Sequence, residues 1–118
     1  MIRKLLVVED EPDIVEALVW ALKHAWSIEA AFDCDSALAM FAQGDFNAAI
    51  VDLNLPGLDG AEVIRRLRGR HPQLPVVLAS ASPDVDRIAK AVGANAWLSK
   101  PFDVDHLEFT LESVVERR

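Results

Sequence analysis

Short apolar runs alternate with amphipathic stretches along the whole of this chain. Leu5-Leu6-Val7-Val8 comes first and stops on Glu9-Asp10-Glu11, the pattern of a buried strand with carboxylates at its end. Pro12 suits the first turn of a helix, and the acids around it suit the positive end of a helix dipole. From Asp13 to about Ala25, Ile14, Val15, Leu18, Val19 and Leu22 form one helical stripe, with Asp13, Glu16, Trp20 and Lys23 on the opposite face. Trp20 on that polar face either folds over a neighbouring loop or meets a partner. Ile28 to Phe32 reads as a second strand, and Asp35-Ser36 as the cap of a helix that runs to about Ala42 and buries Leu38 and Phe41.

Ala48 to Leu53 is a strand of small and β-branched apolar residues, fit for burial on both faces, and Pro56-Gly57 turns the chain after it. Ala61 to Gly69 predicts a third helix with Val63, Ile64 and Leu67 inward. The cluster Arg65, Arg66, Arg68 and Arg70 on it reads as a solvated face rather than a binding patch. Pro75 to Ala79 is a fourth strand, followed by Ser80-Ala81-Ser82-Pro83. A helix from about Pro83 to Val92 then carries Val85, Ile88, Ala89 and Val92 inward, with Gly93 as its C-cap. Ala96 to Ser99 is a short fifth strand broken by Lys100-Pro101. The last helix, about Asp103 to Glu116, buries Val104, Leu107, Leu111, Val114 and Val115, turns Phe109 outward, and has Arg117-Arg118 to suit its negative end. Five such alternations predict an α/β fold, a five-stranded parallel sheet with helices on both faces.

With 118 residues, about half of them hydrophobic, the chain is sized for one domain over residues 1–118 that buries roughly two-thirds of its unfolded surface. The net charge of −7 disfavours generic attraction to nucleic acid or anionic membranes by this chain alone. A single cysteine, Cys34, excludes an internal disulfide, suits a reducing compartment and reads as a small apolar filler. Leu5 to Val8 is too short for a signal sequence and no later run approaches a membrane span, so the expected location is cytoplasmic.

In this arrangement the first strand ends in Glu9-Asp10, the third in Asp52, the fourth in Ser80 and the fifth in Lys100. The carboxyl ends of the strands are where ligands bind in open parallel sheets. Three carboxylates brought together there repel one another and favour a hard divalent cation with oxygen ligands, for which Mg2+ is the usual intracellular choice. Lys100 offsets part of the charge, and Ser80 adds a donor for an incoming anion. Each residue alone has an ordinary explanation, as a dipole partner, a turn former or a surface charge. Their joint occurrence at four strand ends is what carries weight.

The set Glu9-Asp10, Asp52-Leu53-Asn54-Leu55-Pro56-Gly57-Leu58-Asp59-Gly60, Ser80-Ala81 and Lys100-Pro101-Phe102 resembles the receiver domain of two-component response regulators, over essentially the whole length. The resemblance implies the (βα)5 flavodoxin-like, CheY-like fold. It also implies that Asp52 is the phosphoacceptor for a phosphohistidine of a sensor histidine kinase or histidine phosphotransfer protein. By the same comparison Asp10, Asp52 and the main-chain carbonyl of Asn54 would ligate Mg2+, with Glu9 acting through water. Lys100 would pair with the phosphate, Ser80 would hydrogen-bond it, and the bond to Pro101 resembles the family's cis peptide. Ser80 and Trp97 match the family's switch pair, although Trp97 is bulkier than the usual Tyr or Phe. Gly93-Ala94-Asn95-Ala96-Trp97 lacks the acids of the family's usual run there, so charged dimer contacts are not assumed. Trp97 and Phe109 would share an output face for a partner or a second copy. Trp20, with Ile14 and Ala17, would meet the kinase. Beyond its own phosphorylation and dephosphorylation no catalytic turnover is expected. A haloacid-dehalogenase-like phosphatase is the alternative of another class, but Asp52 lies on the third strand and Asn54 stands where that chemistry needs a second Asp. A receiver-like interaction module without phosphorylation is a further alternative.

Overall fold

A computed structural model describes residues 2–54 and 60–116. The turn expected at Pro56-Gly57, the rest of residues 55–59, and Arg117-Arg118 lie outside the described residues. Strands and helices alternate as β1 (Arg3–Val8), α1 (Pro12–Leu22), β2 (Trp26–Ala31), α2 (Cys34–Gln43), β3 (Ala48–Asp52), α3 (Gly60–Arg70), β4 (Val76–Ser80), α4 (Val85–Val92), β5 (Ala96–Ser99) and α5 (Val104–Glu116). The strands form one parallel sheet in the order β2-β1-β3-β4-β5. This is the flavodoxin-like arrangement, and its strand order reverses between β1 and β3, where such sheets open a crevice.

Alternate side chains of each strand enter opposite layers, as the pleat requires. Leu6, Val8, Ala49, Val51, Val76 and Leu78 pack against α2, α3 and α4. Leu5, Val7, Ile50, Val77, Ala79 and Leu98 pack against α1 and α5, through Leu18, Leu22, Leu107, Leu111 and Val114. The strands β3 and β4 are buried at every position, which is why their sequences read as continuous apolar runs rather than alternating ones. Cys34 sits at the start of α2 in the first of these layers, and burial pushes its thiol up from the ordinary range.

Several boundaries differ from expectation for local reasons. The helix α1 stops at Leu22, and Val19, expected inside, is exposed because it lies beyond the arc held by Leu18 and Leu22. Pairing with β1 begins at Trp26, two residues before the expected strand start, and leaves Phe32 outside β2 and exposed. The cap of α2 is Asp33, whose Oδ1 accepts from the Ser36 amide at 2.8 Å, so Asp35 and Ser36 belong to the first helical turn. Leu38 is only half-buried, since Cys34, Ala37 and Phe41 take the inward positions. Residues Pro83 and Asp84 form a turn ahead of α4, which is therefore two residues shorter than expected, and Ile88 on it is half-buried. Val104, expected inside, is exposed at the first position of α5, and Val115 is half-buried.

The arginine cluster divides. Arg65 and Arg66 stand in solvent and meet Glu62 at 3.2 and 3.3 Å. Arg68 does not belong to a solvated face: its guanidinium turns back and donates to main-chain carbonyls of the α3–β4 and α4–β5 connections. Among the described residues no helix is long and apolar enough to cross a membrane.

Candidate functional site

Register brings the charged strand ends to one rim. Val8 lies beside Val51, so Glu9 and Asp52 come abreast one residue further on. Asp52 lies beside Ala79, and Ser80 beside Ser99, which puts Lys100 next along the same edge. The amide of Leu53 donates to the Ala79 carbonyl at 3.0 Å, and that of Lys100 to the Ser80 carbonyl at 2.8 Å, so the ladder continues to the last residue of each strand.

Glu9, Asp10 and Asp52 offer carboxylate oxygens that all lie within 4.8 Å of one another. Glu9 and Asp52 are buried, whereas Asp10 is exposed at the mouth. Lys100 Nζ donates to Glu9 Oε1 at 3.0 Å and lies 3.2 Å from Asp52 Oδ2. One ammonium thus meets two of the three carboxylates, and the cluster keeps an excess of negative charge. Burial is the largest cause acting on Glu9 and pushes its carboxyl above the ordinary range. The Lys100 hydrogen bond pulls it back, and Asp52 pushes it further up. For Lys100, burial opposes the charge but the two carboxylates outweigh it, and its ammonium is held above the ordinary lysine range. The uncompensated charge, the oxygen-only donors and the short mutual distances fit a divalent cation of the Mg2+ type.

The remaining residues fall around this cluster. The Asn54 amide donates to Asp52 Oδ1 at 3.3 Å, which draws the main chain after β3 toward the carboxylates. Ser80 is fully buried, and its hydroxyl oxygen accepts from the Ser82 amide at 3.0 Å. The Lys100-Pro101 peptide bond is cis. Trp97 lies away from the carboxylates, on the surface, where it and Phe109 flank a hollow with His106 and Thr110. Trp20 is elsewhere again, exposed on α1 with the Lys23 ammonium 4.0 Å from its ring centroid. Ile14 and Ala17 instead line an apolar groove with Phe102 and Val104 that reaches Lys100.

Sequence reading gave Gly60 no role, and the structure supplies one. A Cβ at Gly60 would stand 2.1 Å from the Asp52 carbonyl oxygen and 2.7 Å from Leu53 Cα, so the start of α3 rests on the end of β3 with no room for a side chain. Its amide donates to the Leu53 carbonyl at 2.6 Å. Gly60→Ala is expected to lower stability by roughly 1–3 kcal/mol, as overpacking against backbone does, which urea unfolding followed by tryptophan fluorescence measures. In the sequence Gly60 stood as the last residue of the motif that carries the receiver resemblance, just ahead of the helix expected from Ala61.

A family model described as the response regulator receiver domain matches residues 5–112. The chain is 38% identical over 117 residues to the transcriptional regulatory protein TcrA of Mycobacterium tuberculosis, a match that covers 97% of this chain and 46% of that protein. It spans about half the length of the transcriptional regulators it matches in this way. The chemotaxis protein CheY4 of Vibrio cholerae superimposes with a TM-score of 0.89 at 32% identity, covering 97% of this chain and 99% of that one. The response regulator TrrA of Thermotoga maritima, solved in complex with Mg(2+)-BeF, gives a TM-score of 0.87 at 27% identity, with 96% of this chain and 99% of that one covered. The register, the acidic rim and these likenesses agree, and the chain belongs to the family of response regulator receiver domains of two-component systems.

Proposed function

We propose that Asp52 is the residue phosphorylated in this receiver domain, and that the surrounding side chains hold the phosphoryl group. The observation that carries this reading is the buried Asp52 carboxylate, 3.2 Å from the Lys100 ammonium and within reach of Glu9 and Asp10 at the strand-order reversal. An Asp52 oxygen forms the new O–P bond in line with the departing group. The P–N bond to a phosphohistidine of a sensor histidine kinase or phosphotransfer protein breaks, its electron pair stays on the imidazole nitrogen, and the ring leaves neutral or takes a proton. Lys100 moves its charge from the carboxylates toward the phosphoryl oxygens, and Ser80 turns its hydroxyl proton to one of them. Mg2+, held by Asp10, Asp52 and the Asn54 carbonyl with Glu9 acting through water, would supply the remaining positive charge that the phosphoryl oxygens need. That TrrA was solved with Mg(2+)-BeF supports this choice of ion.

The domain acts on no free substrate beyond its own phosphorylation and dephosphorylation, because nothing at position 54 can serve as the acid-base carboxylate of a phosphatase. The groove of Ile14, Ala17, Phe102 and Val104 beside Lys100 suits an apolar helix of the donor protein, and Trp20, exposed elsewhere on α1, offers that protein a second contact. Ser80 and Trp97 are the switch pair, and the surface of Trp97 and Phe109 receives a partner or a second copy once the phosphate is in place.

The test is intact-mass measurement after incubation with Mg2+ and acetyl phosphate. One phosphoryl group should be gained, and a chelator should prevent the gain. An unchanged mass under both conditions removes the reading.

A further inference from the structure

The two ends of α4 are held very differently. At its C-terminal end Gly93 takes a left-handed conformation, φ +80, and the amides of Gly93 and Ala94 close the helix on Lys90 and Ala89 carbonyls at 3.3 and 2.9 Å. Arg68 of α3 then ties this end down. Its Nη2 donates to the Gly93 carbonyl at 2.9 Å and to Asn95 Oδ1, while its Nη1 donates to the Pro72 carbonyl at 3.0 Å and to the Leu74 carbonyl. Asn95 is bound in turn to β4: its Oδ1 accepts from the Val76 amide at 2.8 Å, and its own amide donates to the Val76 carbonyl at 2.8 Å. One planar guanidinium therefore joins α3, the approach to β4 and the connection from α4 to β5, through charge-assisted bonds that a lysine could not reproduce.

The N-terminal end has no comparable fastening. Asp84 occupies the cap position in a non-cap conformation, φ −100 and ψ 16, and its side chain makes no cap hydrogen bond. It pairs instead with Arg87 in solvent, at 2.6 Å. What holds the turn is a relay that begins at the switch residue: Ser80 Oγ accepts from the Ser82 amide at 3.0 Å, Ser82 Oγ from the Asp84 amide at 3.2 Å, and the Ser82 carbonyl from the Val85 amide at 3.3 Å.

We propose that α4 is a lever pinned at its C-terminal end by Arg68 and Asn95, and that rearrangement of Ser80 releases its N-terminal end to swing about that pin. The inference rests on Asp52 being the phosphorylated residue, since that is what calls Ser80 away. Arg68 is a positioning residue: it touches no part of the acidic site, and it decides which part of α4 answers to the site. Trp97, two residues past Asn95, keeps its main-chain register on β4 while the start of α4 moves.

Amide hydrogen exchange read by mass spectrometry tests the pin in two arms. Without any phosphoryl mimic, amides at 93–96 should be protected about tenfold or more over those at 82–86, and Arg68→Met should remove that protection while leaving 82–86 unaltered. With Mg2+ and beryllofluoride, the wild-type response should be confined to residues 80–88 and should spread to 93–97 in Arg68→Met. Asn95→Ala should reproduce the spread, and Arg68→Lys, which keeps the charge and most of the stem, serves if Arg68→Met does not fold. An equal response at both ends of wild-type α4, or unchanged protection at 93–96 in the variants, overturns the proposal. If wild type gives no response to beryllofluoride and gains no mass with acetyl phosphate, the assignment of Asp52 is what fails. The first arm then still decides whether the pin exists.

Discussion

Incubated with Mg2+ and acetyl phosphate, the Asp52→Asn protein should acquire no phosphoryl group, and in the absence of the metal it should melt at a higher temperature than wild type. The first half follows from the proposed role of Asp52 as phosphoacceptor: an amide neither attacks phosphorus under these conditions nor binds the cation as a carboxylate does. The second half follows from the charges at the rim. Asp52 and Glu9 are both buried, and Asp52 is one of the causes that push the Glu9 carboxyl up. A like-charge contact at about 4 Å costs between about 1 kcal/mol in water and about 4 kcal/mol at the effective dielectric of a protein surface. Lys100 loses one of its two partners in the variant but keeps Glu9 at 3.0 Å. A net gain of about 1 kcal/mol corresponds to a rise of about 4 °C for a domain of this size. Added Mg2+ should raise the melting temperature of wild type by mass action and that of Asp52→Asn far less, because one ligand is gone. Calorimetry with and without the ion reads both effects. A variant that melts well below wild type without metal would show that the Lys100 contact outweighs the repulsion.

Lys100→Met should act in the opposite direction. It leaves three neighbouring carboxylates with no cation among the site residues, two of them buried. Removing one partner of a buried ion pair costs roughly 3–5 kcal/mol, and the partial exposure of this site places the expected loss near the lower figure, about 3 kcal/mol at pH 8. The loss should shrink at low pH. Lys100 is the one group that pulls the Glu9 carboxyl down, so without it the Glu9 value in the fold rises further. A carboxyl raised in the folded state contributes stability that is complete below its ordinary value and is lost as pH climbs through the raised one. Wild type and variant should therefore converge as pH falls toward the ordinary glutamate range and diverge above it. Urea unfolding at a series of pH values checks this, and a difference independent of pH would mean that lost packing of the lysine stem dominates. Mg2+ should restore part of the stability, since it replaces the missing positive charge.

The alternation of apolar runs and amphipathic stretches was enough to read the sheet, its helices and the rim on which the charged residues meet, because each buried strand ends where its apolar run ends. Lys100 and Glu9, 91 residues apart, were legible as neighbours only because both follow the last residue of a strand. What escaped the sequence were matters of tertiary choice. Arg68 is of a residue type expected in solvent, and its inward turn depends on the Pro72, Leu74 and Gly93 carbonyls that two separate connections present to it. Asp33 takes the cap that Asp35 was given because pairing of β2 with β1 sets where the chain leaves the sheet. Val19 and Val104 sit at the margins of helical arcs whose width is fixed by the neighbouring element rather than by the helix itself. Gly60 stood just outside the helix expected from Ala61, and its reason lies in the close approach of the end of β3.

The lone thiol at Cys34 has a practical consequence. Buried at the start of α2, with burial holding its proton in place, it reacts with disulfide reagents only when that layer opens, so its labelling rate clocks the breathing of one half of the molecule. A cysteine introduced at an exposed position of α4 such as Asp86 could then carry a fluorophore in the otherwise native protein, with the natural thiol left as the slow internal chronometer.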